Sequence, residues 1–348
     1  MQGQRVINDT LLISCPGEDG GLFLASTDKS IRLTCRPATG LFIKDEMALL
    51  AYQDKGGRSI RIYDGCSVAE RHLAAGPMDL HDLLVANNRI YAAVTEENSV
   101  VSFDESYNMV DRWSLQGEKD SSHLNSIVFY QGSLLASVFG RFERHREYKE
   151  GTLGCGEVID IISGETFIKG LSQPHSLTVV DDKLYVCSSE DRELRIYHGH
   201  ALFKKISVPG YARGLAVGDK SIYIGLSMSR NSAACEKDVN GAAVAVISKA
   251  DMLLKGVIHL ACREIYDIRI INQNSWIVPH LVDESLYNKY FLLEKKLASY
   301  KSGYDAYKSG YDAYGAIKKS VVWKFADPVY KLEIELVNFL NFINNRIL

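Results

Sequence analysis

The sequence predicts an all-β fold, a β-propeller. Three observations carry that expectation. Short β-rich runs fill the chain, sustained helical periodicity is scarce before residue 284, and one strand–turn–strand unit recurs at close to the length of a propeller blade.

The runs include RIYAAV (89–94), VVSFD (100–104), SLLASVF (133–139), KLYVCSS (183–189), ELRIY (193–197) and SIYIGLS (221–227). Val, Ile, Tyr and Leu dominate them, and Asp, Asn, Gly and Ser bound them, as in short strands joined by tight turns. The recurring unit appears as TGLFIKDEMALLAY from Thr39, HDLLVANNRIYAAV from His81, NSIVFYQGSLLASV from Asn125, HSLTVVDDKLYVCS from His175, RGLAVGDKSIYIGL from Arg213 and DIRIINQNSWIVPH from Asp267. Each copy has a polar residue, an apolar strand, a polar turn and a second apolar strand. A sandwich or barrel explains many short strands but not this repeated register. The start of the chain, QRVINDTLLISC, resembles a degenerate further copy. The expected architecture is therefore seven blades over residues 1–298, or six if the N-terminal strands complete the last blade.

The 348 residues are 46% hydrophobic and 24% charged, enough for a large core. The formal net charge of −3 offers no general attraction to nucleic acid or to an anionic membrane. No basic segment followed by an apolar run opens the chain, and no stretch approaches 18 uninterrupted apolar residues. The seven cysteines are widely spaced and form no C-x-x-C, so reduced thiols in a cytoplasmic protein are expected rather than a disulfide framework or zinc ribbon.

Antiparallel order places the start of every inner strand at one end of the central channel. The repeated polar slot then forms a rim ring of Thr39, His81, Asn125, His175, Arg213 and Asp267, with His123 two residues before Asn125. Polar side chains are costly to bury without partners, so their recurrence calls for a reason. Wet channels and backbone partners supply a structural one; a shared ligand supplies a functional one. Three long segments are expected over the same face: 140–156 with Arg141, Arg144, His145 and Arg146; 227–241 with Arg230 and Cys235; and 278–290 with His280.

The runs SSHLNS (121–126), GEVIDIISGE (156–165), GLSQPHSL (170–177), PGYARGLAVGD (209–219) and GLSMSR (225–230) occur in this order. Together they resemble an uncharacterised bacterial β-propeller family of the domain-of-unknown-function kind, over roughly residues 10–290. That resemblance implies the propeller, and it implies roles for His123, Asn125, His175, Ser176, Arg213, Ser227 and Arg230. It brings no activity. The architecture also looks like that of antibiotic-opening propeller lyases and calcium-dependent lactonases, a likeness of fold alone.

Two chemistries suit the rim. His81, His123 and His175 have the donor type for a divalent transition metal (Zn, Fe, Mn or Cu) that polarises a carbonyl or acidifies a water. Without a metal, the same histidines and Asp267 are candidate acid–base groups, while Asn125, Ser176, Arg213, Ser227, Arg230 and His280 would bind the ligand. Few Asp, Glu and Asn oxygens occupy the slots, which departs from a calcium-lactonase pattern. No nucleophile elbow, P-loop or dinucleotide fingerprint is present. The leading expectation is an enzyme modifying a small molecule or peptide, of metal-assisted lyase or hydrolase type. The alternative is a non-catalytic propeller binding a sugar, an anion or a partner protein.

Residues 300–314 contain a tandem YKSGYDA duplication, read as a flexible insertion over 299–319. The segment 321–328 is a candidate closing strand. VYKLEIELVNFLNFINNRIL (329–348) is a candidate amphipathic helix for packing or for a protein partner, and its acidic, Asn-rich polar face argues against membrane binding.

Overall fold

In the computed structural model, the described residues are 9–26, 29–54, 57–65, 67–71, 79–228, 241–271 and 275–281. The chain divides into two compact units, Met1–Ile277 and Val278–Leu348. In the first unit, β1 (Thr10–Cys15), β2 (Gly21–Ser26) and β3 (Lys29–Thr34) come first. Then follow β4–β7 (Ala38–Lys44, Met47–Asp54, Gly57–Asp64, Ser67–Arg71) and β8–β11 (Leu80–Ala86, Arg89–Val94, Ser99–Phe103, Met109–Ser114). The next blades are β12–β15 (Ile127–Tyr130, Ser133–Val138, Gly156–Asp160, Thr166–Leu171) and β16–β19 (Pro174–Val180, Lys183–Ser188, Glu193–His198, Ala201–Ser207). Last are β20–β23 (Tyr211–Val217, Ser221–Ser227, Ala243–Ser248, Leu254–His259) and β24 (Asp267–Ile271).

These strands make six four-stranded antiparallel sheets among the described residues. Five are consecutive meanders. The sixth is composite, in the order β24-β1-β2-β3. The expected count of seven is therefore corrected to six, the arrangement in which the N-terminal strands complete the last blade. The reason lies in β1. Its run TLLISC is buried along its whole length, as an inner strand would be. Here burial comes from being sandwiched: β1 pairs with β24 on one edge, Ser14 opposite Asp267, and with β2 on the other. The closing strand, tandem repeat and C-terminal helix expected over 299–348 lie outside the described residues. A short helix covers residues 277–281. Among the described residues no helix is long and apolar enough to cross a membrane.

Apolar residues from adjacent blades interdigitate. Cys187, Leu194 and Ile196 of one blade pack with Leu215, Ile222 and Ile224 of the next. Polar joints run around the channel at the same seams. Thr39 Oγ1 donates to Leu80 O (2.6 Å), Asp82 Oδ2 accepts from Ile127 N (2.9 Å), and Ser126 Oγ accepts from Leu177 N (3.0 Å). Ser176 Oγ accepts from Gly214 N (2.8 Å), Ser227 Oγ bonds both N and O of Ile265, and Arg269 Nε donates to Leu41 O (2.7 Å). Each blade is thus tied to the next by a side chain that satisfies a buried backbone group.

Candidate functional site

Four inner strands open with a break in ladder register, between Ala38 and Leu41, Leu80 and Asp82, His175 and Thr178, and Ala212 and Leu215. The seams and ladder registers align Thr39, His81, Asn125, His175, Arg213 and Tyr266. Leu41, Leu83, Ile127, Leu215 and Ile268 follow two residues later, and their ladder partners occupy matching places. Asp267 is therefore one position out of the rim slot assigned to it above. It sits a level lower, beside Asp82, and Tyr266 takes the slot. Two residues before each slot stands a second, upper ring: Asp79, His123, Gln173, Tyr211 and Glu264, with Pro37 in the remaining blade.

These two rings enclose a cavity of about 320 Å³, lined by His81, His123, His175, Arg213, Tyr211, Tyr266, Asp79 and Glu264, and by Phe139, Arg146, Tyr148 and Lys149 from the long segment after β13. A far smaller space lies beneath, lined by Asp82, Asp267 and Arg269. His81, His175 and Tyr266 border both and separate them.

Each histidine commits Nδ1 to the protein. His123 Nδ1 lies 2.7 Å from Asp120 Oδ1, and Asp120 Oδ2 accepts from Arg146 Nε (2.6 Å) and Tyr148 Oη (3.0 Å). His175 Nδ1 lies 2.9 Å from the Gln173 carbonyl, which can only accept, and 2.8 Å from Ser189 Oγ. His81 Nδ1 lies 3.1 Å from Asn125 Oδ1, an amide whose nitrogen donates to His123 O. His123 and His175 therefore carry their proton on Nδ1 and leave Nε2 as the remaining ring nitrogen, whereas both nitrogens of His81 face an oxygen acceptor. His81 Nε2 is 3.3 Å from Asp79 Oδ1.

Burial sets the charge states. It pushes the His123 imidazole down to about 4, against the pull of Asp120. Burial, with the Arg213 charge adding to it, holds His175 well below the ordinary histidine range. Burial opposes ionisation of Asp120, but the bonds from His123, Arg146 and Tyr148 prevail and keep its carboxyl below the usual value. Burial raises the phenols of Tyr148, Tyr211 and Tyr266. One level down, burial and the neighbouring Asp267 raise the Asp82 carboxyl to about 7. Arg213 stacks on Tyr266, its guanidinium carbon 3.9 Å from the ring centre, and its Nη1 lies 3.3 Å from Glu264 Oε2.

The backbone here is unusual. Asp120, His123, Arg146, Gln173 and Ser176 all have left-handed φ, between 47° and 60°. Non-glycine residues carry a cost there, and such residues concentrate at sites the surroundings hold in shape.

The sequence-predicted residues thus separate. His81, His123, His175 and Arg213 meet in the cavity. Asn125 lies behind His81 and orients it. Thr39 is buried, and its hydroxyl joins two blades, as does that of Ser176. Ser227 lines the cavity, yet its hydroxyl is taken up by the Ile265 peptide. Arg230 lies outside the described residues, and His280 belongs to the second unit. Among the described residues, no three His, Cys, Asp or Glu side chains are arranged to hold a metal ion. Sequence reasoning missed Asp120, Tyr148, Asp79, Tyr211, Glu264 and Tyr266. All but Asp120 and Tyr148 were findable by stepping two residues back from each slot, with the last copy shifted by one.

Solved structures share the architecture. A chain of the crystallised nidogen/laminin complex aligns with TM-score 0.54 at 11% identity, over 76% of this chain and 98% of that one. A protein of unknown function from Bacteroides caccae also gives 0.54 at 11% identity, over 76% and 100%. A virginiamycin B lyase from Staphylococcus aureus gives 0.42 at 9% identity, over 64% and 70%. At these identities the first two likenesses show the fold alone. A search of curated proteins finds none that matches. Residues 24–278, which hold both rings, match a family model, and the chain belongs to that family, described as domain of unknown function DUF4915.

Proposed function

We propose that the cavity binds a small anionic, hydroxyl-bearing molecule and moves a proton on it. The observation that supports this reading is the His123–Asp120 pair. A carboxylate fixes the imidazole in one tautomer, and burial keeps it neutral, so Nε2 is a lone-pair base at the cavity wall. Arg213, stacked on Tyr266 beside the histidines, is the group to hold the anion. Neutral His175 and the un-ionised tyrosines offer acceptors and donors for hydroxyls. In this reading Asp120 is a positioning residue, and His123 is the catalytic base of an elimination or hydrolysis.

A metal-assisted form is the second reading, and one observation favours it. Imidazoles that bind metals through Nε2 usually donate Nδ1–H to a carboxylate, carbonyl or amide oxygen, as His123 and His175 do here. Elemental analysis of untagged protein beside His175→Ala distinguishes the two: about one equivalent of metal, lost in the variant, supports the second.

The test of the main reading uses inorganic phosphate, glucuronate and citrate as probes in calorimetric titration. Binding that disappears in Arg213→Gln supports the anion site. Exchange of a carbon-bound hydrogen of glucuronate with deuterated solvent, lost in His123→Asn while binding remains, supports the base. Binding without exchange favours the non-catalytic alternative. No binding by any probe overturns the reading.

A further inference from the structure

Away from the cavity chemistry, two thiols meet across the seam where the ring closes. Cys15 ends β1, in the composite blade. Cys262 lies in the connection from β23 to β24, and the amide of Ala242, in the neighbouring blade, donates to its carbonyl at 2.6 Å. The residues are 247 apart in sequence, both are buried, and their Sγ atoms are 3.4 Å apart. The other described free cysteines, Cys35, Cys155 and Cys187, show no such pairing.

We propose that Cys15 and Cys262 form a reversible disulfide that covalently closes the propeller ring. Three features support it. A disulfide needs an Sγ separation of about 2.05 Å, so the sulfurs have roughly 1.4 Å left to close. The bond would tie the N-terminal strand to the last connection, the one place where the six-blade ring is completed by strands from opposite ends of the unit. It would also stiffen the site wall, because Pro16 follows one cysteine and Glu264 and Tyr266 closely follow the other.

The co-reactant is a low-molecular-weight disulfide. One protein thiolate attacks a sulfur of that disulfide and expels one small thiolate. The second protein thiolate then attacks the mixed disulfide and expels the other. The protein loses two protons and two electrons, and the small disulfide is reduced to two thiols. Burial holds the Cys15 thiol well above its ordinary value, so exchange is slow while the seam is shut and requires its transient opening. The same burial would protect the bond once formed.

The experiment takes the full chain, equilibrates it with oxidised glutathione or with dithiothreitol, and maps peptides without reduction after alkylation. The expected result is a cross-linked Cys15–Cys262 peptide in the oxidised sample only. Its unfolding midpoint should lie about 5–10 °C above that of the reduced sample. Cys15→Ser and the apolar Cys15→Val should both lose that redox difference, and two variants guard against one that fails to fold. Cys15 and Cys262 recovered as free thiols from oxidised, fully unfolded protein would overturn the proposal. So would glutathione confined to exposed Cys35 and Cys155, or a midpoint that ignores redox state.

Discussion

Replacing His123 with Asn should flatten part of the acid sensitivity of this protein, by an amount the structure sets. Asn tolerates the left-handed backbone of position 123 (φ 47°), so the substitution removes the imidazole with little added strain. In an unfolded chain the imidazole takes up its proton near pH 6.5; in the folded protein burial delays that to about 4. Between those values the unfolded state binds the extra proton, so acidification favours unfolding. At about 1.36 kcal/mol per pKa unit, wild type should lose about 2 kcal/mol relative to His123→Asn between pH 7.5 and pH 5. The difference is needed because other groups also titrate. Asp82, raised to about 7, works in the opposite direction: its folded form binds a proton more readily than the unfolded chain and gains stability as pH falls from about 7 toward the ordinary carboxylate range. Asp82 is present in both proteins and cancels. The assay is urea unfolding of each protein at half-unit pH steps, with equal slopes required. Parallel pH profiles would refute the burial of a neutral His123.

Other outcomes follow from single contacts. Ser176→Ala leaves the buried Gly214 amide without its acceptor and should cost about 1–3 kcal/mol, read as a lower thermal midpoint. Gly225→Ala would place a Cβ 2.0 Å from the Arg213 carbonyl oxygen and 2.7 Å from Ile265; backbone must move, so a loss of at least about 3 kcal/mol or an insoluble chain is expected in expression and melting trials. Arg213→Lys keeps the charge but not the planar stack on Tyr266, and should weaken phosphate or glucuronate binding about tenfold by titration calorimetry. Asp120→Asn should shift the His123 proton from Nδ1 toward Nε2, visible in long-range nitrogen–proton NMR correlations, with the ring otherwise in place.

The propeller was legible because its strands repeat both in pattern and in register. The blade count was not, because burial alone does not tell an inner strand from one sandwiched between two others, and TLLISC fits both. Three cavity residues were readable for the same reason as the fold: His81, His175 and Arg213 sit at repeat positions, and His123 stands two residues before the Asn125 slot. The last copy misled by one residue, since Asp267 and Tyr266 are both polar enough to fill the slot, and only the ladder with β1 decides between them. Ser176 and Ser227 looked like ligand groups, but short hydroxyls near strand ends serve equally to cap a neighbour's amide. Asp120 and Tyr148 escaped because their meeting with His123 depends on how an irregular segment folds back, which no period encodes.

The composite blade has a consequence for how the chain is made. Strands β1–β3 are made before the other strands of the propeller, yet the edge of β1 is completed only by Asp267–Ile271. At about 5–20 residues per second, that apolar edge waits roughly 10–50 s for its partner. Ring closure is therefore the most non-local pairing in the propeller, and until it forms the waiting edge of β1 is the part most exposed to strand exchange with another copy or to chaperone capture.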